Sequence, residues 1–186
     1  MNDLLLKLIR RYGRDFKVAF SISGPALDQF EQYAPEVVDS FKALADTGCV
    51  EFVAETGPHS LAFLYSRDEF DLQVKEHCAR IKRLFGKKPV TFRNTEFFYN
   101  NDLPVALEKL GFKVVLAEGA DHVLGWRSPN YLYRPVSTPN MGLLLRNISL
   151  SADIGLRFSD HSWNQWPLTA EKYADWCHSA ADSAEL

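Results

Sequence analysis

The strongest constraint on the fold is a repeated alternation of short apolar strands with amphipathic helices. Phe16 to Ile22, Cys49 to Ala54, Val90 to Asn94 and Lys113 to Ala117 read as strands. Helical periods stand between them, from Ala26 to Tyr33, from Pro35 to about Ala45, from Arg67 to Phe85 and from Leu103 to Leu110. The longest carries Phe70, Val74, Cys78, Ile81 and Leu84 or Phe85 at helical spacing, and Gly86-Lys87-Lys88-Pro89 stops it. Another helix, capped by Asn2 or Asp3, runs to Tyr12 ahead of the first strand. Tyr131 to Arg134 and Leu143 to Arg146 read as two further strands. A final helix covers Thr169 to about Ala181, with Thr169-Ala170-Glu171-Lys172 as its capped start. Short apolar strands alternating with helices imply a parallel sheet with helices outside it, in a barrel or an open doubly wound sheet. Ser23-Gly24-Pro25 after the first strand is no glycine-rich nucleotide loop, which disfavours a dinucleotide fold.

A length of 186 residues suits a single domain, and no linker or low-complexity stretch divides it. Hydrophobic residues are 46% and charged residues 24%, the balance of a globular chain. A net charge of −3 gives no basic field for nucleic acid. No apolar run approaches the ~20 residues that cross a bilayer. Asp3 stands where a signal peptide would be basic, so a cytoplasmic location and no membrane partner are expected. Cys49, Cys78 and Cys177 are too few and too scattered for a disulfide framework or a metal knuckle. Aromatics reach 13%, which suits either sugar stacking or, more simply, an aromatic core.

Polar residues gather at strand ends, where barrel enzymes carry their chemistry. On the second strand Glu51, Val53 and Glu55 share a face, and His59 follows in the next loop. An acid in so apolar a strand is costly unless paired. The third strand ends Arg93-Asn94-Thr95-Glu96, followed by Phe97-Phe98-Tyr99-Asn100-Asn101. Aromatics stack on sugar rings, amides bond hydroxyls, and a carboxylate can attack an anomeric carbon. Arg93 is expected to point the same way as Glu96 and hold it ionised, as suits a nucleophile. The fourth strand leads to Asp121, His122 and Trp126, a candidate stacking platform. Other chemistries lack their motifs. There is no Gly-x-Ser-x-Gly elbow, no phosphate-binding loop, and no His-x-x-x-His or His-Glu-x-x-His pair, so no metal site is expected.

Gly48-Cys49-Val50-Glu51-Phe52-Val53-Ala54-Glu55-Thr56, His59-Ser60-Leu61, Phe92-Arg93-Asn94-Thr95-Glu96, Leu124-Gly125-Trp126-Arg127-Ser128-Pro129-Asn130-Tyr131 and Leu143-Leu144-Leu145-Arg146-Asn147 form an ordered, collinear set. Together they resemble the α-amylase-type branch of glycoside hydrolase family 57. The resemblance implies a distorted, TIM-like (β/α)7 barrel that cleaves or transfers α-glucans with retention and without a cofactor. It implies Glu96 as nucleophile. It makes Glu51 and His59 substrate-binding candidates, to which Arg93, Trp126, Glu55 and Asp121 are added as neighbours.

This sequence departs from the family pattern in three places. It has no His-Gln-Pro motif, which in the family ends the first strand. The segment supplying the acid aspartate would follow the helix at Thr169, and none of Asp121, Asp153 and Asp160 sits in such a segment. Gly57-Pro58 replaces two aromatic residues usual in this branch. The expectation is one partial catalytic domain over residues 1–186, an incomplete barrel with open edges. Such a chain would act on starch or maltooligosaccharides, or remain as an inactive carbohydrate-binding remnant or a 4-α-glucanotransferase. Its open edges would favour self-association or a complementing fragment.

Overall fold

The structure, a computed structural model, describes residues 1–182. Helix α1 (Asn2–Tyr12) leads to β1 (Val18–Ser21), then α2 (Gly24–Tyr33), α3 (Pro35–Asp46) and β2 (Val50–Val53). Next come α4 (Ala62–Tyr65), α5 (Arg67–Phe85), β3 (Thr91–Arg93), α6 (Asp102–Lys109) and β4 (Val114–Glu118). The chain continues through α7 (Asp121–Leu124), β5 (Leu132–Tyr133), β6 (Gly142–Arg146), α8 (Ile148–Ala152) and α9 (Ala170–Asp182).

Local signals set these bounds. Ser66 accepts the Glu69 amide to open α5, and Gly86, at φ 67°, closes it in a left-handed conformation that glycine adopts without penalty. Thr169 Oγ1 accepts the Lys172 amide at 3.3 Å, the cap expected for α9. The expected cap of α1 is absent, because the helix already includes Asn2. The Asn2 side-chain amide instead donates to Ser40 Oγ at 2.8 Å and ties α1 to α3.

Strand β1 pairs in parallel with β2 in register Val18↔Val50, and β3, β4 and β6 form a second parallel run. A parallel bridge between Ala54 and Phe92 joins the two. The spatial order is therefore β1-β2-β3-β4-β6-β5. Only β5 departs from the parallel expectation, lying antiparallel on β6. The connecting segment, residues 134–141, is shorter than the dozen or so residues a parallel crossover needs.

One face of this sheet is apolar and covered by helices. Val50 and Phe52 pack with α1, α3 and α5, and Phe52 stacks on Phe85 with centroids 4.3 Å apart. Phe92 and Val115 pack with Phe70, Leu103, Leu107 and Phe112 from α5, α6 and the turn after α6. Much of the aromatic content is therefore core. The opposite face carries Ala19, Ser21, Glu51 and Val53 on one side, and Arg93, Leu116 and Glu118 on the other. That alternation turns polar groups at the strand ends toward the site.

Candidate active site

The β2 side of the site is built around a buried acid. Glu55 is 2% exposed and its carboxylate would be costly alone. It is paired twice through Oε2, with Arg93 Nη1 at 3.4 Å and His59 Nδ1 at 3.3 Å. Its own backbone amide donates to His77 Nδ1 at 3.3 Å, while His77 Nε2 donates to the Ile22 carbonyl at 2.9 Å. His77 thus serves as a neutral clamp between α5 and the ends of β1 and β2. Burial holds its pKa below the ordinary histidine value. The following turn is tightened by Thr56, whose hydroxyl accepts the Ser60 amide at 3.0 Å. Gly57 accepts the Gly24 amide at 2.7 Å. A side chain on Gly24 would meet the Gly57 carbonyl oxygen at 2.6 Å, so the close approach requires glycine.

The β3 side ends in a single tight turn, Thr95–Phe97. Thr95, 3% exposed, meets Thr56 hydroxyl to hydroxyl at 3.1 Å and couples the two turns. Asn94 Nδ2 donates to the Phe98 carbonyl at 3.1 Å. Glu96 and Phe97 have φ of 54° and 53°, and His59 has 58°. Non-glycine residues in this left-handed region cost about 1 to 3 kcal/mol each. The Glu96 side chain is 78% exposed, with Oε1 3.3 Å from His59 Nε2. His59 therefore stands between two carboxylates.

Phe97 lies between two guanidinium groups, Arg93 at 4.5 Å and Arg146 at 4.9 Å from the ring centroid. Arg146 in turn pairs with Glu118 at 2.9 Å. A charged belt thus crosses the strand ends from Glu96 through His59, Glu55 and Arg93 to Arg146 and Glu118. Beside it, Glu96 and the rings of Phe97, Phe98, Tyr99 and Tyr133 border a cleft of about 500 Å³. A smaller hollow of about 340 Å³ lies among Ser21, Ser23, Glu55, His59 and Arg93.

Of the residues singled out from sequence, Glu55, His59, Arg93 and Glu96 come together. The pairing of Arg93 differs from expectation. The strand stops at Arg93 and the left-handed turn swings Glu96 away, so Arg93 meets Glu55 instead. Glu51 sits near the start of β2, beside Lys17 and Gly48, not at the strand end that carries His59. Its Oε1 is buried and lacks a hydrogen-bond partner. Asp121 begins α7, next to His122 on the cleft wall, and Trp126 is 88% exposed with the Arg127 guanidinium over its ring. Asp153 is buried against Arg157 at 2.7 Å, and hydrogen bonds from Ser162 hold Asp160 below the usual carboxylate range, unlike an acid poised to give up a proton. His77, Thr56, Thr95, Arg146 and Glu118 are part of the site and were not singled out from sequence as site residues. Among the described residues, no group of three His, Cys, Asp or Glu side chains is placed to hold a metal ion, and no helix is long and apolar enough to cross a membrane.

The chain is 49% identical over 179 residues to the Methanocaldococcus jannaschii protein named "Putative alpha-amylase", a match covering 96% of this chain and 38% of that protein. The chain therefore spans about two fifths of the length of that relative. Its fold resembles the 4-alpha-glucanotransferase of Thermococcus litoralis, with a TM-score of 0.69 at 17% identity over 82% of this chain and 24% of that one. It also resembles a "putative polysaccharide deacetylase" of Mycobacterium smegmatis, with a TM-score of 0.66 at 15% identity over 97% of this chain and 59% of that one. At such identities these two likenesses speak for the fold alone. The sequence profile of glycosyl hydrolase family 57 matches residues 1–186 throughout, and the chain belongs to that family.

Proposed function

We propose that this chain carries the nucleophile side of a retaining, α-glucan-cleaving active site of the α-amylase type, on part of a (β/α)7 barrel, with Glu96 as the attacking carboxylate. The supporting observation is the placement of Glu96. It projects from the end of β3 on a strained turn, exposed, at the lip of an aromatic cleft. Strain held at a functional turn fixes a side chain in a direction that regular structure would not give it. Of the other acids at hand, Glu55 is occupied by Arg93 and His59 and Glu118 by Arg146, which fits support better than attack. A retaining reaction also needs an acid about 5–5.5 Å from the nucleophile. The present proposal concerns the attacking group alone. Starch and maltooligosaccharides are the proposed substrates, bound by stacking on the cleft aromatics and by hydrogen bonds from the polar hollow.

The test is covalent capture. A 5-fluoro-α-maltosyl fluoride forms a bond from a Glu96 oxygen to the anomeric carbon as the carbon–fluorine bond breaks and fluoride leaves with its electron pair. Intact-mass and peptide mass spectrometry should find the adduct on Glu96, and none on Glu96→Gln. An adduct on another residue, or undiminished maltooligosaccharide cleavage by the variant, would sink the assignment. Maltoheptaose binding with neither adduct nor cleavage would favour a carbohydrate-binding remnant. Transfer products outnumbering hydrolysis products would favour a glucanotransferase.

A further inference from the structure

We propose that His59, oriented by the buried Glu55, is the positioning residue for Glu96. This rests on the reading of Glu96 as nucleophile. His59 Nδ1 faces Glu55 Oε2 and Nε2 faces Glu96 Oε1, both at 3.3 Å. One ring thus stands within hydrogen-bonding reach of both carboxylates, one on each nitrogen. Glu55 fixes the ring and the ring fixes Glu96.

Three features distinguish this from an incidental surface contact. First, the orienting acid is buried, and its backbone is held in turn by His77, so the ring is referred to the core through α5. Second, the two turns are joined underneath by the buried Thr56–Thr95 contact, which sets the spacing across which His59 reaches Glu96. Third, the non-glycine residues with left-handed backbone among those described are His59, Glu96 and Phe97, all in these two facing turns. Exposed ion pairs contribute about 0 to 1 kcal/mol, too little by themselves to account for strain of this kind on both sides of one contact. The charged and titratable groups around His59 are Glu55 from the end of β2, Arg93 from β3 and Glu96 from the turn after it. Ser21 and Ser23, after β1, border the same hollow. The network thus closes on Glu96 and includes no other exposed acid.

The backbone provides a clean variant. At φ 58°, position 59 suits glycine better than histidine, so His59→Gly removes the ring without new strain. Circular dichroism should show the variant folded. Capture by 5-fluoro-α-maltosyl fluoride should slow about 10- to 100-fold in its maximal rate, because a misplaced reacting group costs about that much. The label concentration giving half that rate should move far less. Added imidazole should restore part of the rate, which a merely structural role would not allow. Capture of His59→Gly on Glu96 at the wild-type rate would overturn the proposal and leave the nucleophile assignment standing. Failure to capture wild type would count against the nucleophile assignment, and ring nitrogen-15 spectra would then decide the contact. His59 signals that change in Glu96→Gln at fixed pH support it, and unchanged signals reject it.

Discussion

A histidine with both ring nitrogens engaged, one accepting an amide proton and one donating to a carbonyl, holds its place only while neutral. His77 is in that state, and burial keeps its proton affinity low. The unfolded chain therefore binds more protons than the folded one once the pH falls below the ordinary value of 6.5. Stability should be full above that value and decline as the pH falls toward the lowered folded value. His77→Gln should flatten the dependence of melting temperature on pH below 6.5. A profile as steep as wild type would reject this role. Gly24→Ala tests the close approach of the two turns. Its new methyl meets the Gly57 carbonyl, and chemical denaturation should register a loss of about 1 to 3 kcal/mol. At this scale the sequence was partly legible. Glu55, His59, Arg93 and Glu96 stood out because carboxylates and a histidine after apolar strands are conspicuous. The pairing of Arg93 was not legible, because left-handed backbone at Glu96 and Phe97 carries no signal when neither residue is glycine. His77 was hidden within a helix whose amphipathic period assigned it no role.

The helix that contains His77 carries most of the burden among the elements. α5 presents Phe70 to β3 and Phe85 to β2, and Arg80 reaches Asp28 and Glu31 on α2. Phe70 is fully buried, edge-on to Phe63 and Phe92. Phe70→Ala should cost about 3 to 5 kcal/mol in denaturant unfolding, whereas a loss below about 1 kcal/mol would mean that the cluster is poorly packed. The bounds of α5 were readable from the sequence because serine, first-turn acids, last-turn bases and glycine all agree there. The short elements α4, α7 and α8 were missed. Each is held by its surroundings, and four or five residues leave no period to read.

For the molecule as a whole, among the described residues, β1 and β5 end the strand order. Exposed strand edges invite pairing with another chain. Size-exclusion chromatography with light scattering at micromolar concentration is expected to show a concentration-dependent rise in mass, and a monomer at every concentration would argue that these edges are protected. The parallel direction of the strands followed from alternation, while the reversal of β5 needed the length of a loop. A further consequence lies where the two strand runs meet. Across that line the backbone contributes two hydrogen bonds, Ala54 to Thr91 at 2.9 Å and Arg93 to Ala54 at 2.8 Å. Glu55 and His59 belong to one bank, Arg93 and Glu96 to the other. The side-chain contacts around Glu96 are therefore also stitches across the narrowest mechanical joint of the sheet. Ala54 is packed in the same buried cluster as Phe92, so bending at this joint would be felt at once in that core and in the setting of Glu96 against His59.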